Sequence, residues 1–192
     1  MITIYYHGKC TKFYGRAGPI VAALEFAGKV RGTDYQILAK EDAPDNKGFA
    51  VPIVTFDNGV TIGQTTAILE ALGEDLGISG KNREELLYTK QYLQDLTDVL
   101  MDGFAGKMAN AEGEISERGS KWFSLLETRL ESGYFVGDAI TVVDFYAYFV
   151  FLWLDSKKVN YEKYQNVNKW LATVNATKGV KELIEGPVPF LP

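Results

Sequence analysis

The sequence predicts an α/β unit followed by an all-helical region. Three observations predict it. Strand and helix signals alternate over residues 1–76, and a hairpin turn, Asp57-Asn58-Gly59, lies inside that stretch. Beyond residue 83 apolar residues keep helical spacing and no convincing strand recurs. The expected division is residues 1–76 for the α/β domain and 84–192 for the helical domain. Gly77-Ile78-Ser79-Gly80-Lys81-Asn82 reads as the linker.

Ile2 to Tyr6 is a β-rich run in which Ile2, Ile4 and Tyr6 share one face. Pro19 to Ala27 reads as a helix, with Pro19 in its first turn and Gly28 as its stop. Tyr35 to Leu38 reads as a second strand. Pro52 to Phe56 and Val60 to Ile62 form the hairpin, for which Asn58-Gly59 supplies residues tolerant of positive φ. A helix from about Thr65 to Leu76 follows, with Ala67, Ile68, Ala71 and Leu72 on the expected buried face. The order β-α-β, loop, β-β-α combines a parallel pair with a hairpin closed by a helix.

In the second half, Glu84 to about Lys107 carries Leu87, Leu93, Leu96 and Leu100, and Gly103 and Gly106 weaken its end. Glu117 to Leu130 carries Trp122, Leu125 and Leu126. Helices near Val142–Ser156 and Val167–Ala176 complete the pattern. The apolar run Phe145 to Leu154 is half the length of a membrane span, and suits the central helix of a bundle.

Composition narrows the function. The 192 residues are 46% hydrophobic with net charge −5, and the basic residues are scattered, so neither a nucleic-acid partner nor a membrane surface is expected. One cysteine, Cys10, excludes an internal disulfide, and with the single histidine, His7, gives no ordinary zinc site; no metal is expected. A reducing compartment fits the lone cysteine. The first residues read as a strand rather than a targeting segment, so the expectation is a cytoplasmic protein.

Three motifs carry the functional reading. Val51-Pro52 stands before a strand, where proline marks an edge or a start. Taken alone it reads as an ordinary trans bond; in a thioredoxin-like fold this position is a cis-proline. Gly63-Gln64-Thr65-Thr66-Ala67-Ile68 places an amide and hydroxyls where a helix begins, a place suited to a ligand carboxylate, although Thr65 or Thr66 alone reads as a helix cap. Thr141 and Asp144 have the spacing of a capping box, with Ile140 and Phe145 as the staple.

In this order and spacing the motifs resemble the glutathione transferase superfamily. Its members carry Val-Pro before the third strand, a Gln-Ser-x-Ala-Ile helix start and a Gly-Asp-x-Ile/Leu-Thr-x-x-Asp box. Arg16-Ala17-Gly18-Pro19-Ile20 is similar to the first-helix opening of sigma-like members. The resemblance spans the chain. It implies a thioredoxin-like domain plus a helical domain, a homodimer, and attack of the glutathione thiolate on a hydrophobic electrophile. Glutathione is then a co-substrate and the expected role is detoxification. A competing expectation is a catalytically quiet protein of the same fold, acting as a ligand-binding module or assembly subunit.

Carried over, Val51, preceding Pro52, pairs by its backbone with the cysteinyl part of glutathione, and Gln64 and Thr65 bind the γ-glutamyl end. Arg16 and Ala50 complete the expected glutathione-binding set. Thr65 stands for the usual serine, and Ala50 for a common glutamine. A tryptophan and lysine usual in the preceding loop are not evident, although Lys47 is near. The acceptor is expected beside the long helix, near Phe104 and Met108, under the tail Val188-Pro189-Phe190-Leu191. Glutathione's thiol resembles a cysteine of pKa about 8.5, so it needs activation. Sigma-like members use a tyrosine at the end of the first strand, which makes Tyr6 the leading candidate for the activating residue and Tyr5 the next. The stretch from Tyr6 to Arg16 is longer than the family pattern. It contains Cys10, which matches the cysteine used by beta-like and omega-like members, and Tyr14, a further candidate hydroxyl.

Overall fold

The computed structural model describes residues 1–7, 15–45 and 47–185. Two compact units divide at Leu76/Gly77, and residues 177–185 return to the first unit.

The first unit is a four-stranded mixed sheet in the order β2-β1-β3-β4. Its strands are β1 (Ile2–Tyr6), β2 (Tyr35–Ala39), β3 (Ile53–Thr55) and β4 (Thr61–Gly63). β1 runs parallel to β2 and antiparallel to β3, and β3–β4 is the hairpin. Register sorts the side chains. Ile4 lies opposite Ile37 and Val54, so these three share a face with Tyr6 and Tyr35. All five are buried. The other face carries Thr3, Tyr5, Gln36, Thr55 and Thr61, where Gln36 donates to Thr3 and the Thr55 and Thr61 hydroxyls bond each other.

Helix α1 (Gly18–Phe26) opens with Pro19 and buries every residue from Gly18 to Leu24. Gly28, at φ 78°, ends it as the sequence expects. Helix α2 (Thr65–Leu76) differs from expectation in its buried face. Ile68, Leu69 and Leu72 are buried, whereas Ala67 is exposed. Leucine buries more apolar surface than alanine, and so decides which of two adjacent apolar arcs turns inward. The hairpin also differs in detail. Only Gly59 of the Asn58-Gly59 pair takes positive φ. The Gly59 N–H donates to the Phe56 carbonyl and the Phe56 N–H to the Val60 carbonyl, giving a three-residue loop.

The second unit contains α3 (Arg83–Phe104), α4 (Glu117–Arg129), α5 (Val142–Ser156) and α6 (Gln165–Asn175). Leu87 and Leu125, expected as apolar marks, are exposed, while Leu93, Leu96, Leu100, Phe123 and Leu126 are buried. α3 ends at Phe104 instead of Lys107; a short bridge between Ala109 and Ile115 occupies the connection. α5 is apolar nearly all round and central. It packs against α3 and α6, and Phe145, Phe151 and Leu154 have no exposed surface. No helix among the described residues is long and apolar enough to cross a membrane.

Two carboxylates organise this unit. Asp144, fully buried, accepts from the Thr141 N–H at 2.8 Å, the Thr141 hydroxyl at 3.0 Å, the Phe135 N–H at 3.2 Å and the Trp170 indole N–H at 2.8 Å. The capping box is therefore present, and it ties α5 to α6 as well. Burial pushes the Asp144 carboxyl up from its usual range, against the pull of these donors. Asp102, on α3, receives Arg118 at 2.7 Å and the Trp122 indole at 3.3 Å, with Lys107 at 3.7 Å. Burial raises its pKa, but these partners outweigh burial and hold it below the usual carboxylate range.

The helical domain, expected to run over 84–192, is corrected at its C-terminal end. A seventh helix, α7 (Val180–Glu185), packs on α1 in the first unit. Gly179, at φ 90°, lies so close to the Ala22 carbonyl that a side chain there would collide with it, and Val180 is fully buried.

Candidate functional site

The site is built at the open end of the first unit's sheet. The Tyr6 hydroxyl, at the end of β1, accepts a hydrogen bond of 3.1 Å from the backbone N–H of Arg16. The Arg16 carbonyl accepts one of 3.3 Å from the Thr65 hydroxyl at the start of α2. Three of the candidate residues are thus joined through a single peptide segment, the 3-10 turn Gly15–Ala17. Tyr6 accepts here; Thr65 donates and keeps acceptor lone pairs.

The remaining candidates group around Gly63. Ile53 pairs with Gly63 at the end of the β3–β4 ladder, so Pro52 and Gln64 lie just beyond it. The Val51–Pro52 bond is cis, as the thioredoxin-like reading expects. A Cβ on Gly63 would meet the Gly48 backbone at 3.3 Å and the Ala50 and Pro52 carbonyls at 3.8 Å. Glycine thereby lets the loop before β3 close over β4. Gln64 stands at φ 69°, one of only two non-glycine residues among those described with positive φ. Such a conformation costs about 1–3 kcal/mol for a side-chain-bearing residue, and clusters at functional sites.

Gln64 leads directly into α2, whose first-turn N–H groups lack intrahelical acceptors and carry the positive end of the helix dipole. Arg16, Ala50 and Gln64 are exposed, Val51 is half-buried, and Pro52 and Thr65 are buried. The arrangement presents an exposed amide, a guanidinium and a helix N-terminus next to a strand edge and a tyrosine hydroxyl. It is suited to an anionic peptide-like ligand with a group to be polarised at its centre.

Strand alternation turns Tyr5 to the opposite face, with Leu38 and Ile53 as its ladder neighbours, away from the Arg16 bridge. Cys10 and Tyr14 lie outside the described residues, as does the tail 188–191. Lys47 is described and exposed. Two features were missed by sequence reasoning. The Arg16 bridge is made by backbone atoms, which no residue type signals. The left-handed Gln64 has no signal either, because glutamine is not a residue that prefers that region.

This fold is a thioredoxin-like unit followed by a helical unit. Residues 105–178 match the family model of the glutathione S-transferase C-terminal domain. The fold is similar over nearly its whole length to several solved structures. The glutathione S-transferase of Ascaris lumbricoides shares 20% identity, with 96% of each chain covered and a TM-score of 0.74. Prostaglandin synthase D of Nilaparvata lugens shares 18%, covering 98% of this chain and 100% of that one, with a TM-score of 0.73. A sphingomonad glutathione S-transferase complexed with glutathione shares 16%, covering 96% and 98%, with a TM-score of 0.71. A comparison with curated sequences gives no match. The chain has the fold of the glutathione transferases, and its residues 105–178 match their C-terminal domain.

Proposed function

We propose that this protein binds glutathione at the Tyr6–Arg16–Thr65 group and conjugates its thiolate to a hydrophobic electrophile. The observation that carries the reading is the backbone bridge at Arg16, which ties the tyrosine hydroxyl to the helix start beside Gln64. Val51 pairs through its backbone with the cysteinyl residue of glutathione. Gln64, Thr65 and the first turn of α2 hold the γ-glutamyl carboxylate and amine. Arg16 contributes charge, and Ala50 contributes only backbone.

The Tyr6 O–H donates to the sulfur. Its oxygen already accepts from a backbone N–H, and donors in such chains polarise one another. Stabilising the thiolate by two pKa units is worth about 2.7 kcal/mol and turns a few per cent of thiolate at neutral pH into a majority. The thiol proton leaves to solvent, the sulfur attacks the electrophilic carbon, and the leaving group departs with the bonding electrons.

A second reading is a catalytically quiet glutathione-binding protein. Tyr6 is only 5% exposed, which favours it, since a buried hydroxyl is harder for the sulfur to reach. Titrating glutathione into the protein separates binding from non-binding. A conjugation assay with a generic aryl halide then separates enzyme from binder. Saturable binding that weakens at least tenfold in Gln64→Ala supports the site, whereas unchanged binding removes it.

A cytoplasmic homodimer engaged in detoxification is part of the same proposal. Phe49, fully exposed beside Val51, is an anchor-type residue for the second copy. Phe49→Ser is expected to shift the sedimentation profile toward monomer.

A further inference from the structure

At the start of α4 the second unit holds a cleft of about 480 Å³, lined by Lys107, Ser116, Glu117, Arg118 and Lys121. Ser116 fixes its two walls. Its hydroxyl donates to the Lys107 carbonyl and accepts from the Gly119 N–H, which ties the loop carrying Lys107 to the first turn of the helix. One carboxylate brings two of the cations together. Asp102, 11% exposed, lies 3.7 Å from the Lys107 Nζ and accepts from the Arg118 Nε at 2.7 Å. The Trp122 indole N–H donates to the same carboxylate, and its ring centroid lies 5.9 Å from the guanidinium carbon of Arg118. Arg118 is thus held from behind while its side chain stays 56% exposed. Lys121, three residues further on, is its neighbour on the helix surface and pairs with the exposed Glu117 at 3.0 Å.

We propose that this cleft binds a small hydrophilic phosphate compound, a diphosphate or a sugar phosphate, clasped by Arg118 between Lys107 and Lys121. Charge favours an anion. Three cations face two carboxylates, Asp102 and Glu117, which leaves one positive charge in excess in a chain whose net charge is −5. Geometry favours phosphate. A guanidinium carries its N–H donors in a planar fork that matches a phosphoryl group bidentately, and with Nε turned to Asp102 the outer edge remains for a ligand. Phosphoryl oxygens point in three directions and can meet three separate cations, whereas a carboxylate has two oxygens in one plane. The cleft is larger than a single phosphate ion, so the group arrives with a second phosphate or a polyol. All five lining side chains are polar or charged, which suits such a ligand and gives a nucleobase or an acyl chain nothing to pack on. The site stands on the second unit alone, independent of the glutathione reading.

The test is calorimetric titration of the full chain with inorganic pyrophosphate at low and at high salt. One saturable site is expected, weakening as salt rises because the cations are exposed. Arg118→Lys keeps the charge but loses the planar fork, and should weaken binding about fivefold. Lys121→Gln should weaken it about threefold, the effect of one exposed charge. Glu117→Gln removes the one carboxylate that lines the cleft and should tighten binding. Lys121 and Glu117 are both exposed, so neither of these substitutions threatens the fold. Gln64→Ala, in the first unit, should leave pyrophosphate affinity unaltered. Absence of saturable binding, indifference to both Arg118→Lys and Lys121→Gln, or binding that fails to tighten in Glu117→Gln would overturn the proposal. So would loss of binding in Gln64→Ala, which would place the anion at the glutathione site.

Discussion

The two units each contain a polar hub, and the hubs are built on opposite principles. Around Asp144 every partner is buried and one carboxylate receives four donors, which joins a helix start to a neighbouring helix and a loop. Around Arg16 the contacts run through backbone, the neighbouring Gln64 is held in a left-handed conformation, and Arg16 and Gln64 are exposed while the Tyr6 and Thr65 hydroxyls are buried. A closed, satisfied network stabilises a fold. An open network with local strain is what a binding site needs, since its groups must be completed by a ligand. Mutations in the two hubs should therefore move stability and binding independently, and in one case in opposite directions.

The largest stability effect is expected at Asp144. Asp144→Ala leaves two backbone N–H groups, a hydroxyl and the Trp170 indole without their acceptor, a loss of about 3 kcal/mol. The denaturation midpoint should fall sharply, while glutathione affinity in the fraction that stays folded should not change. Thr141→Ala removes one hydroxyl from the same hub and should cost about 1 kcal/mol. A midpoint unmoved in either variant contradicts the capping network.

Asp102 gives the pH-dependent comparison. Its folded pKa is depressed, so its contribution is present above the ordinary aspartate pKa of about 3.9 and is lost as pH falls through the folded value. Asp102→Asn should lower stability by about 1 kcal/mol at neutral pH. Wild type and variant should converge in acid, as followed by denaturant melts across pH. A gap that persists in strong acid, well below the folded pKa, would mean that packing, not charge, is what the substitution disturbs.

Gln64→Gly sharpens the contrast with the smallest stability change and the opposite sign. Glycine adopts positive φ freely, so the midpoint should rise by about 0.5–1 kcal/mol, net of the added chain entropy. Glutathione binding should weaken at the same time. A variant that loses stability as well would show that the Gln64 side chain supports the fold rather than the ligand.

What the sequence made legible follows the range of the forces involved. The α5 box was readable because Thr141 and Asp144 lie three residues apart and the signature is local. The face of β1 was readable because alternation is strict. The arc of α2 was not, since Ala67 and Leu69 both belong to apolar arcs and only packing on the sheet chooses between them. α7 was missed because its six residues carry little pattern, and its place depends on the fit of Gly179 to Ala22. Likewise the Asp102 cluster gathers Lys107, Arg118 and Trp122 across a loop and a second helix, which no linear spacing announces. At the candidate site the residue types were legible, but the bridge uniting them is made of main chain.

Tyr6 is proposed to polarise a glutathione thiol held by its neighbours. The most direct test is the apparent thiol pKa of bound glutathione, read from thiolate absorbance against pH in wild type, Tyr6→Phe and Cys10→Ser. Wild type should hold the thiol about one to two units below the free value of about 8.5, and Tyr6→Phe should return it towards that value with affinity little changed. The conjugation rate near neutral pH should fall about tenfold to a hundredfold in parallel, with Cys10→Ser nearly silent. A thiol pKa that is unaltered in Tyr6→Phe but restored in Cys10→Ser would contradict the tyrosine assignment and transfer the role to the cysteine.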